Sequence, residues 1–211
     1  MIGRLLVVTL MVATAPLAAQ TPRPLEVDDL FEIKRVANPQ ISSDGEWLAY
    51  TVSQTNLEKG KSSTRLWMIS MSGGDPIPMS ATGTSASRPR WSPDGKYLSF
   101  TASRNGGKTQ VWTLNRLGGE AQQLTEVEQG VSSYAWSPDG SRLLLSIRDP
   151  EVEDSSESDV EPPWVIDRLQ FKRDGAGYLT GNRHTHLYVF DVVTKDLRQI
   201  TSGDFDESSP V

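Results

Sequence analysis

The sequence of 211 residues contains no cysteine and only two histidines. Without cysteine, disulfides, cysteine-ligated zinc sites and cysteine nucleophiles are excluded. Basic residues are also in deficit, with 21 Lys and Arg against 27 Asp and Glu and a formal net charge of −6. Nucleic-acid binding requires clustered Lys and Arg to neutralise phosphates, so we expect no nucleic-acid partner.

The sequence also lacks an apolar run long enough to span a membrane. Its apolar run at residues 5–15 follows Arg4 and is broken by Pro16, and a stable span needs about 20 residues. Small residues follow, so we predict a cleaved signal peptide over residues 1–20 with cleavage near Ala19 or Gln20. The alternative is a buried N-terminal helix. The prediction implies an exported protein, periplasmic or extracellular, without a stable membrane span.

Three segments of the chain align without gaps. They are residues 41–50 (ISSDGEWLAY), 91–100 (WSPDGKYLSF) and 136–145 (WSPDGSRLLL). Ser, Pro and Gly in this order are typical of a type I turn, although Ser43 replaces Pro in the first copy. Each turn is followed by alternating apolar residues, such as Leu98, Phe100 and Ala102, which predict a half-buried β-strand.

A second pattern follows each hairpin at fixed spacing. An aromatic residue is followed six positions later by a turn residue and twelve positions later by an apolar residue that precedes a hydroxyl. These sets are Trp67, Gly73, Met79 and Ser80; Trp112, Gly118, Leu124 and Thr125; and Tyr188, Thr194, Ile200 and Thr201. Each unit therefore resembles a propeller blade of four short strands. We expect Trp91, Trp112 and Trp136 to fill the space between blades; ligand stacking is the alternative.

The fold class predicted from these repeats is all-β, a partial β-propeller of about three four-stranded blades and the start of a fourth. After the signal peptide, a lead-in with a short helix covers residues 21–40 and the incomplete propeller covers residues 41–211. The predicted limits are about 41–82 for blade one, 88–128 for blade two and 133–203 for blade three. Closed propellers have about 4 to 8 blades. We therefore expect exposed apolar faces at both ends and a longer parent protein.

Blade three contains an insertion over residues 149–183. Its first part, residues 149–163, is acidic without basic residues and predicts a solvated loop; a calcium site is the alternative, without the usual central Gly. Its second part, residues 163–180, mixes strand-like stretches with a Gly-rich turn. His184 and His186 follow at alternate positions and suggest a metal site, but they align with Lys108 and Gln110, which favours a structural role. No catalytic, cofactor-binding or metal-binding residue is assigned.

The hairpins resemble two groups of propellers. One is the TolB-like periplasmic binding propellers, and the other is the N-terminal propeller of the prolyl oligopeptidase family, which includes acylaminoacyl and dipeptidyl peptidases. Two segments favour the peptidases. Residues 27–41 resemble their opening helix and strand, with Asp29 as helix cap and Glu32 in capping-box spacing, and residues 165–175 resemble the blade-three insertion of the acylaminoacyl-peptidase branch.

The resemblance implies the non-catalytic propeller portion of a secreted serine peptidase. Such a propeller gates and orients short peptides for a C-terminal α/β-hydrolase domain that carries Ser, Asp and His. The chain has no Gly-x-Ser-x-Gly nucleophile elbow, so we expect no activity from it alone, and no cofactor. The expected partners are that hydrolase domain, absent here, and peptide substrates. The alternatives are a TolB-like binding propeller without enzymatic activity and an inactive gene remnant.

Overall fold

The computed structural model describes residues 23–58, 60–150, 172–174, 177–178 and 183–207. One short helix, α1 (Asp29–Glu32), precedes strands that form three four-stranded antiparallel sheets. Blade one contains β1 (Arg35–Ile41), β2 (Trp47–Asn56), β3 (Lys61–Ser70) and β4 (Ile77–Pro78); blade two contains β5 (Ala86–Trp91), β6 (Tyr97–Ala102), β7 (Gln110–Asn115) and β8 (Gln122–Gln123). Blade three contains β9 (Ser133–Trp136), β10 (Arg142–Arg148), β13 (Thr185–Asp191) and β14 (Leu197–Gln199), and β11 (Lys172–Arg173) pairs with β12 (Gly177–Tyr178) in a separate ribbon. The prediction of an all-β partial propeller is confirmed.

The first strands of the blades lie side by side at a shared inner edge. β1 contacts β5, and β5 contacts β9. Within each blade the strands follow one another in sequence order. The fourth strands β4, β8 and β14 therefore lie at the outer edges, as in a propeller.

The turn between the first two strands has the predicted hydrogen bonds. In blade two, the Gly95 N–H donates to the Ser92 carbonyl at 2.8 Å. The Ser92 hydroxyl donates to Asp94 Oδ1 at 2.6 Å, and the same oxygen accepts the Lys96 N–H at 3.1 Å. Gly95 has φ +68°, and a Cβ there would lie 2.9 Å from Ser43 Oγ of blade one. Glycine thus serves both the turn and the close approach of two blades.

The recurring hydroxyl of the second pattern binds the backbone of the third strand. It stands just after the fourth strand and accepts a third-strand N–H one residue before the recurring aromatic position. The pairs are Ser80 with Leu66 at 3.0 Å, Thr125 with Val111 at 2.9 Å, and Thr201 with Leu187 at 2.8 Å. The separation of 14 residues within each pair is therefore the length of chain that returns along the outer edge of each blade.

The hydrophobic core lies between blades rather than within them. One cluster joins blades one and two, and the other joins blades two and three. The first contains Ala49, Leu66, Met68, Ala86, Trp91, Leu98, Phe100, Ala102 and Leu114. The second contains Val111, Val127, Val131, Tyr134, Leu143, Leu145, Ile147 and Phe190. The predicted apolar face of Leu98, Phe100 and Ala102 is buried, but Ser99 and Thr101 on the opposite face are buried too, so the strand is not half-buried. In β2 the buried residues are Ala49 and Thr51, because no described blade covers the other face of this strand.

Blade one has an apolar face without a neighbouring blade among the described residues. Ile41 is 60% exposed, whereas Trp91, which occupies the same position in blade two, is 9% exposed. Val36 is likewise 69% exposed, whereas its counterpart Ala86 is 2% exposed. The same repeat positions are therefore buried wherever a preceding blade covers them.

The tryptophans lie between blades, as predicted. Trp91 donates its Nε1–H to the Gln40 carbonyl of blade one at 3.0 Å. Trp136 donates to Ser99 Oγ of blade two at 2.8 Å. Trp112 packs against the first cluster. Each indole therefore combines apolar packing with a satisfied polar group.

Ser99 is the polar centre of the contact between blades two and three. Its buried hydroxyl accepts hydrogen bonds from Tyr134 Oη and Trp136 Nε1, both at 2.8 Å. It donates to the Arg90 carbonyl at 2.8 Å. One side chain thus links three strands of two blades.

The lead-in differs from the sequence prediction at its helix cap. Asp28, not Asp29, occupies the N-cap position, and it makes no side-chain capping bond. Asp29 is the first helical residue, and its carboxylate instead accepts the Glu26 N–H at 2.8 Å and pairs with Arg23. The capping prediction was wrong because the helix has a single turn, whose first residue reaches back to the preceding chain. The opening strand of the predicted lead-in is β1, which belongs to the sheet of blade one.

Several predicted segments fall outside the described residues. They are the signal peptide at residues 1–20, most of the insertion including the acidic loop, and the last four residues. In the described part of the chain, no helix has the length and apolarity that crossing a membrane requires.

Replacing Ser99 with Ala tests the contact between blades two and three. The change removes the acceptor of the half-buried Trp136 indole and the donor to the Arg90 carbonyl, so the free energy of unfolding should fall by about 1–3 kcal/mol. Urea denaturation measures this change. Ser202→Ala is the control, because Ser202 is exposed and outside both clusters. Equal stability of the two variants would contradict the assigned role of Ser99.

The stability of the fold should decrease in acid because the carboxylates of the Ser-Pro-Asp-Gly turns become protonated. The Ser137 hydroxyl and the Ser141 amide hold the pKa of Asp139 at about 2, against an ordinary value of 3.8. A carboxylate whose pKa is lower in the folded chain stabilises the fold above its unfolded pKa, and that contribution disappears as the pH falls from about 4 to about 2. Asp139→Asn should flatten this part of a plot of melting temperature against pH. Asp204→Asn, on an exposed loop, should leave the slope unchanged.

Candidate functional site

The inner strands of blades one and two carry basic residues. β1 carries Arg35, and β5 carries Arg88 and Arg90. The three first strands, β1, β5 and β9, contain no acidic residue. The chain has a net charge of −6, whereas these three strands together have a net positive charge.

Arg88 lies at a bulge in β5 and has an unusual backbone conformation. The pairing of β5 with β6 shifts register between Ser87 and Arg90, and Arg88 has φ +52°. In blade one, Asn38 has φ +53° at the equivalent bulge. Positive φ suits Asn but is uncommon for residues such as Arg.

Two buried hydroxyls fix the backbone of this bulge. The single proton of the Tyr134 hydroxyl is shared between Ser99 Oγ at 2.8 Å and the Arg88 carbonyl oxygen at 3.0 Å, and Ser99 Oγ donates to the Arg90 carbonyl at 2.8 Å. Burial raises the pKa of Tyr134, which therefore stays protonated and a hydrogen-bond donor. Pro89 between the two arginines is fully buried. The bulge is therefore held in place by blade three and by its own blade.

The arginine side chains at this bulge differ in exposure. Arg90 is half-buried and its Nη1 donates to the Pro89 carbonyl at 2.9 Å. Arg88 is exposed, and no hydrogen bond or ion pair of its guanidinium occurs within the described residues. The sequence analysis did not single out Arg88. The sequence feature that could have identified Arg88 is the alignment of Arg88-Pro89 with Asn38-Pro39. Arg88 and Asn38 stand three residues before Trp91 and Ile41.

The two histidines occupy different surroundings. His184 precedes β13, whereas His186 lies within it and is 3% exposed. His186 Nδ1 lies 3.0 Å from Glu207 Oε2, and its Nε2 lies 3.6 Å from Asp149 Oδ2. The described residues include no group of three His, Cys, Asp or Glu side chains that could hold a metal ion. This geometry favours a structural role for His186, whereas His184 Nδ1 is buried without a hydrogen-bond partner among the described residues.

His186 occupies a position that has the same task in all three blades. Its counterparts are Arg65 in blade one and Gln110 in blade two. Arg65 Nη2 donates to the Ser80 carbonyl at 3.1 Å, and Gln110 Nε2 donates to the Val127 carbonyl at 2.6 Å. Each side chain joins the third strand, two residues before the recurring aromatic position, to the chain that follows the fourth strand. The alignment of His186 with Gln110 therefore has a structural reason.

The ends of the blade-three insertion are fastened together. The Asp149 N–H donates to the His184 carbonyl at 2.8 Å, and the His184 N–H donates to Asp149 Oδ2 at 2.9 Å. Arg183 Nε donates to the Asp149 carbonyl at 2.9 Å. The blade therefore continues across the insertion without interruption of its second and third strands. The acidic loop with its alternative calcium site lies outside the described residues.

The chain was compared with family models and with known protein sequences. No family model matches the chain. The chain is 34% identical over 191 residues to the uncharacterized peptidase YuxL of Bacillus subtilis (strain 168), a match that covers 88% of this chain and 29% of YuxL. This chain thus spans less than a third of that relative.

Solved structures share the fold. The acylaminoacyl peptidase of Pyrococcus horikoshii superposes with a TM-score of 0.63 at 21% identity, over 82% of this chain and 26% of that protein. The AtxE2 isopeptidase superposes with a TM-score of 0.58 at 22% identity, over 78% of this chain and 28% of that protein. Together with the peptidase relative, these matches confirm the resemblance to the propeller region of prolyl oligopeptidase-family peptidases.

His186 gives a test of the shared structural position. His186→Gln should keep nearly all of the stability, because Gln110 performs the same task in blade two. His186→Leu should lower the free energy of unfolding by about 1–3 kcal/mol, because the half-buried Glu207 carboxylate loses its partner. Chemical denaturation of both variants distinguishes them. A gain in stability with Zn²⁺ that both variants lose would instead indicate a metal site.

Proposed function

We propose that this chain is the non-catalytic propeller portion of a secreted serine peptidase, which gates and orients short peptides for a C-terminal α/β-hydrolase domain. The observation that carries this proposal is the 34% identity to a peptidase over 88% of the chain. The chain covers 29% of that relative, which leaves room there for further blades and a catalytic domain. The activity belongs to the proposed whole protein.

The contacts at the end of the described chain support continuation of the propeller. The Glu207 N–H donates to the Thr185 carbonyl at 2.9 Å, as the Val131 N–H does to the Thr109 carbonyl at 2.7 Å where blade three begins. Asp206 Oδ1 also accepts the Thr185 N–H at 2.7 Å. Glu207 thus repeats a contact that precedes an inner strand, as expected for the start of a fourth blade.

The exposed face of blade one supports closure by another blade. Val36 and Ile41 lie on this face at positions that are buried in blade two. Hydrophobic burial favours covering such a surface, and a last blade of the same ring has the matching shape. A closed ring would surround the inner edge and present it to peptides that approach the hydrolase domain.

Export is part of this proposal and rests on the signal-like residues 1–20. A TolB-like binding propeller remains the alternative function, but the identified sequence relative is a peptidase, which favours the peptidase over the binding protein. Under either function the chain itself performs no chemistry.

The purified chain should hydrolyse neither peptide nor ester substrates, because it has no nucleophile elbow. Assays with chromogenic peptide and acyl-ester substrates measure this, and turnover that purifies with the chain would contradict the proposal. The coding sequence beyond Val211 should encode further blades and a Gly-x-Ser-x-Gly elbow. Blades followed by a stop codon would indicate the binding propeller, and a stop directly after Val211 would indicate a gene remnant.

A further inference from the structure

We infer that the inner edge of blade two, at Arg88, is a binding site for a peptide carboxylate. This inference rests on the proposed function, under which peptides pass the inner edge. It goes beyond that function because it names a residue and a chemical class of ligand. The carboxylate has two possible sources, the C-terminus of a peptide and an acidic side chain.

The first argument is the choice of residue at the bulge. The backbone at Arg88 has φ +52°, a conformation that Gly and Asn adopt more readily than Arg. Blade one carries Asn38 at the equivalent bulge with nearly the same φ. The fold itself therefore gains nothing from arginine at this point. An unfavourable backbone conformation under an exposed charged side chain is typical of functional positions.

The second argument is the rigidity of the support. Ser99 donates to the Arg90 carbonyl at 2.8 Å, and the Tyr134 hydroxyl shares its proton between Ser99 Oγ at 2.8 Å and the Arg88 carbonyl at 3.0 Å. Ser99 is itself held by Trp136. A guanidinium on a fixed backbone loses less conformational freedom when it binds a ligand than one on a mobile loop.

The third argument is charge and hydrogen-bonding capacity. Within the described residues, the Arg88 guanidinium has no hydrogen bond or ion pair, so its donors are available. Arg35 and Arg90 on the inner strands add positive charge, and no acidic residue on those strands competes. A planar guanidinium donates two parallel hydrogen bonds to the two oxygens of a carboxylate. A neutral C-terminal amide has one oxygen and no negative charge, so it cannot form this pair.

The test measures binding of three probes to the full 211-residue chain by NMR titration or calorimetry. The probes are N-acetyl tetra-alanine as free acid, the same peptide as C-terminal amide, and an amidated peptide with one central aspartate. We expect the free acid, the aspartate peptide or both to bind about tenfold more tightly than the tetra-alanine amide, because only they offer a carboxylate to the guanidinium. Preference for the free acid identifies the C-terminus as the source, and preference for the aspartate peptide identifies a side chain.

Arg88→Asn is the decisive variant, because Asn38 shows that the bulge accepts asparagine. It should melt at or above the temperature of the unmodified chain and bind acid and amide probes equally. Arg88→Gly, which also tolerates positive φ, is the second variant should the first not fold. Arg198→Asn on the exposed outer strand β14 removes the same charge and should leave binding unchanged.

Equal binding of acid and amide probes to the unmodified chain would overturn the inference, as would absence of binding or full binding by Arg88→Asn. These outcomes leave the proposed peptidase untouched, because they concern one site of the propeller. A downstream coding sequence without a hydrolase domain would refute the peptidase, whereas carboxylate binding at Arg88 would still be measured.

Discussion

The fold depends on one constraint: a four-stranded blade has two faces, and its apolar residues are buried only when a neighbouring blade covers them. The first cluster takes side chains from blades one and two, and the second from blades two and three. Leu98 and Phe100 are fully buried because blade one lies over them. The stability of one blade is consequently inseparable from the presence of the next.

Polar contacts also join neighbouring blades. Trp91 and Trp136 each donate a hydrogen bond to the preceding blade, but to different acceptors, a carbonyl at Gln40 and a hydroxyl at Ser99. Arg116 of blade two forms an ion pair with Asp44 of blade one at 2.6 Å. The repeated position therefore fixes where a contact is made, and the local sequence fixes which group makes it.

The features that the sequence predicted well are those with short-range causes. The Ser-Pro-Asp-Gly turn forms its bonds within a few residues. The strand after each turn was also predicted, but which of its faces is buried depends on the neighbouring blades. The hydroxyl at Thr125 was also found, because its distance along the chain to Val111 is fixed by the blade. The cap at Asp29 failed because one turn of helix gives little local preference, and Arg23 and Glu26 compete for its carboxylate.

The inner edge was missed because its determinants come from other strands and blades. Arg88 shows nothing unusual in the sequence until its φ, its exposure and the Tyr134 hydrogen bond are combined, and Tyr134 lies 46 residues away. Ser99 likewise looks like a polar alternate residue of a strand, yet its hydroxyl is the acceptor for two side chains of the next blade. The inner strands thus do two things at once: their backbones are fixed by buried hydroxyls, and the side chain at the bulge is left outside the packing. A position of this kind can therefore change from Asn in blade one to Arg in blade two while the backbone keeps nearly the same φ.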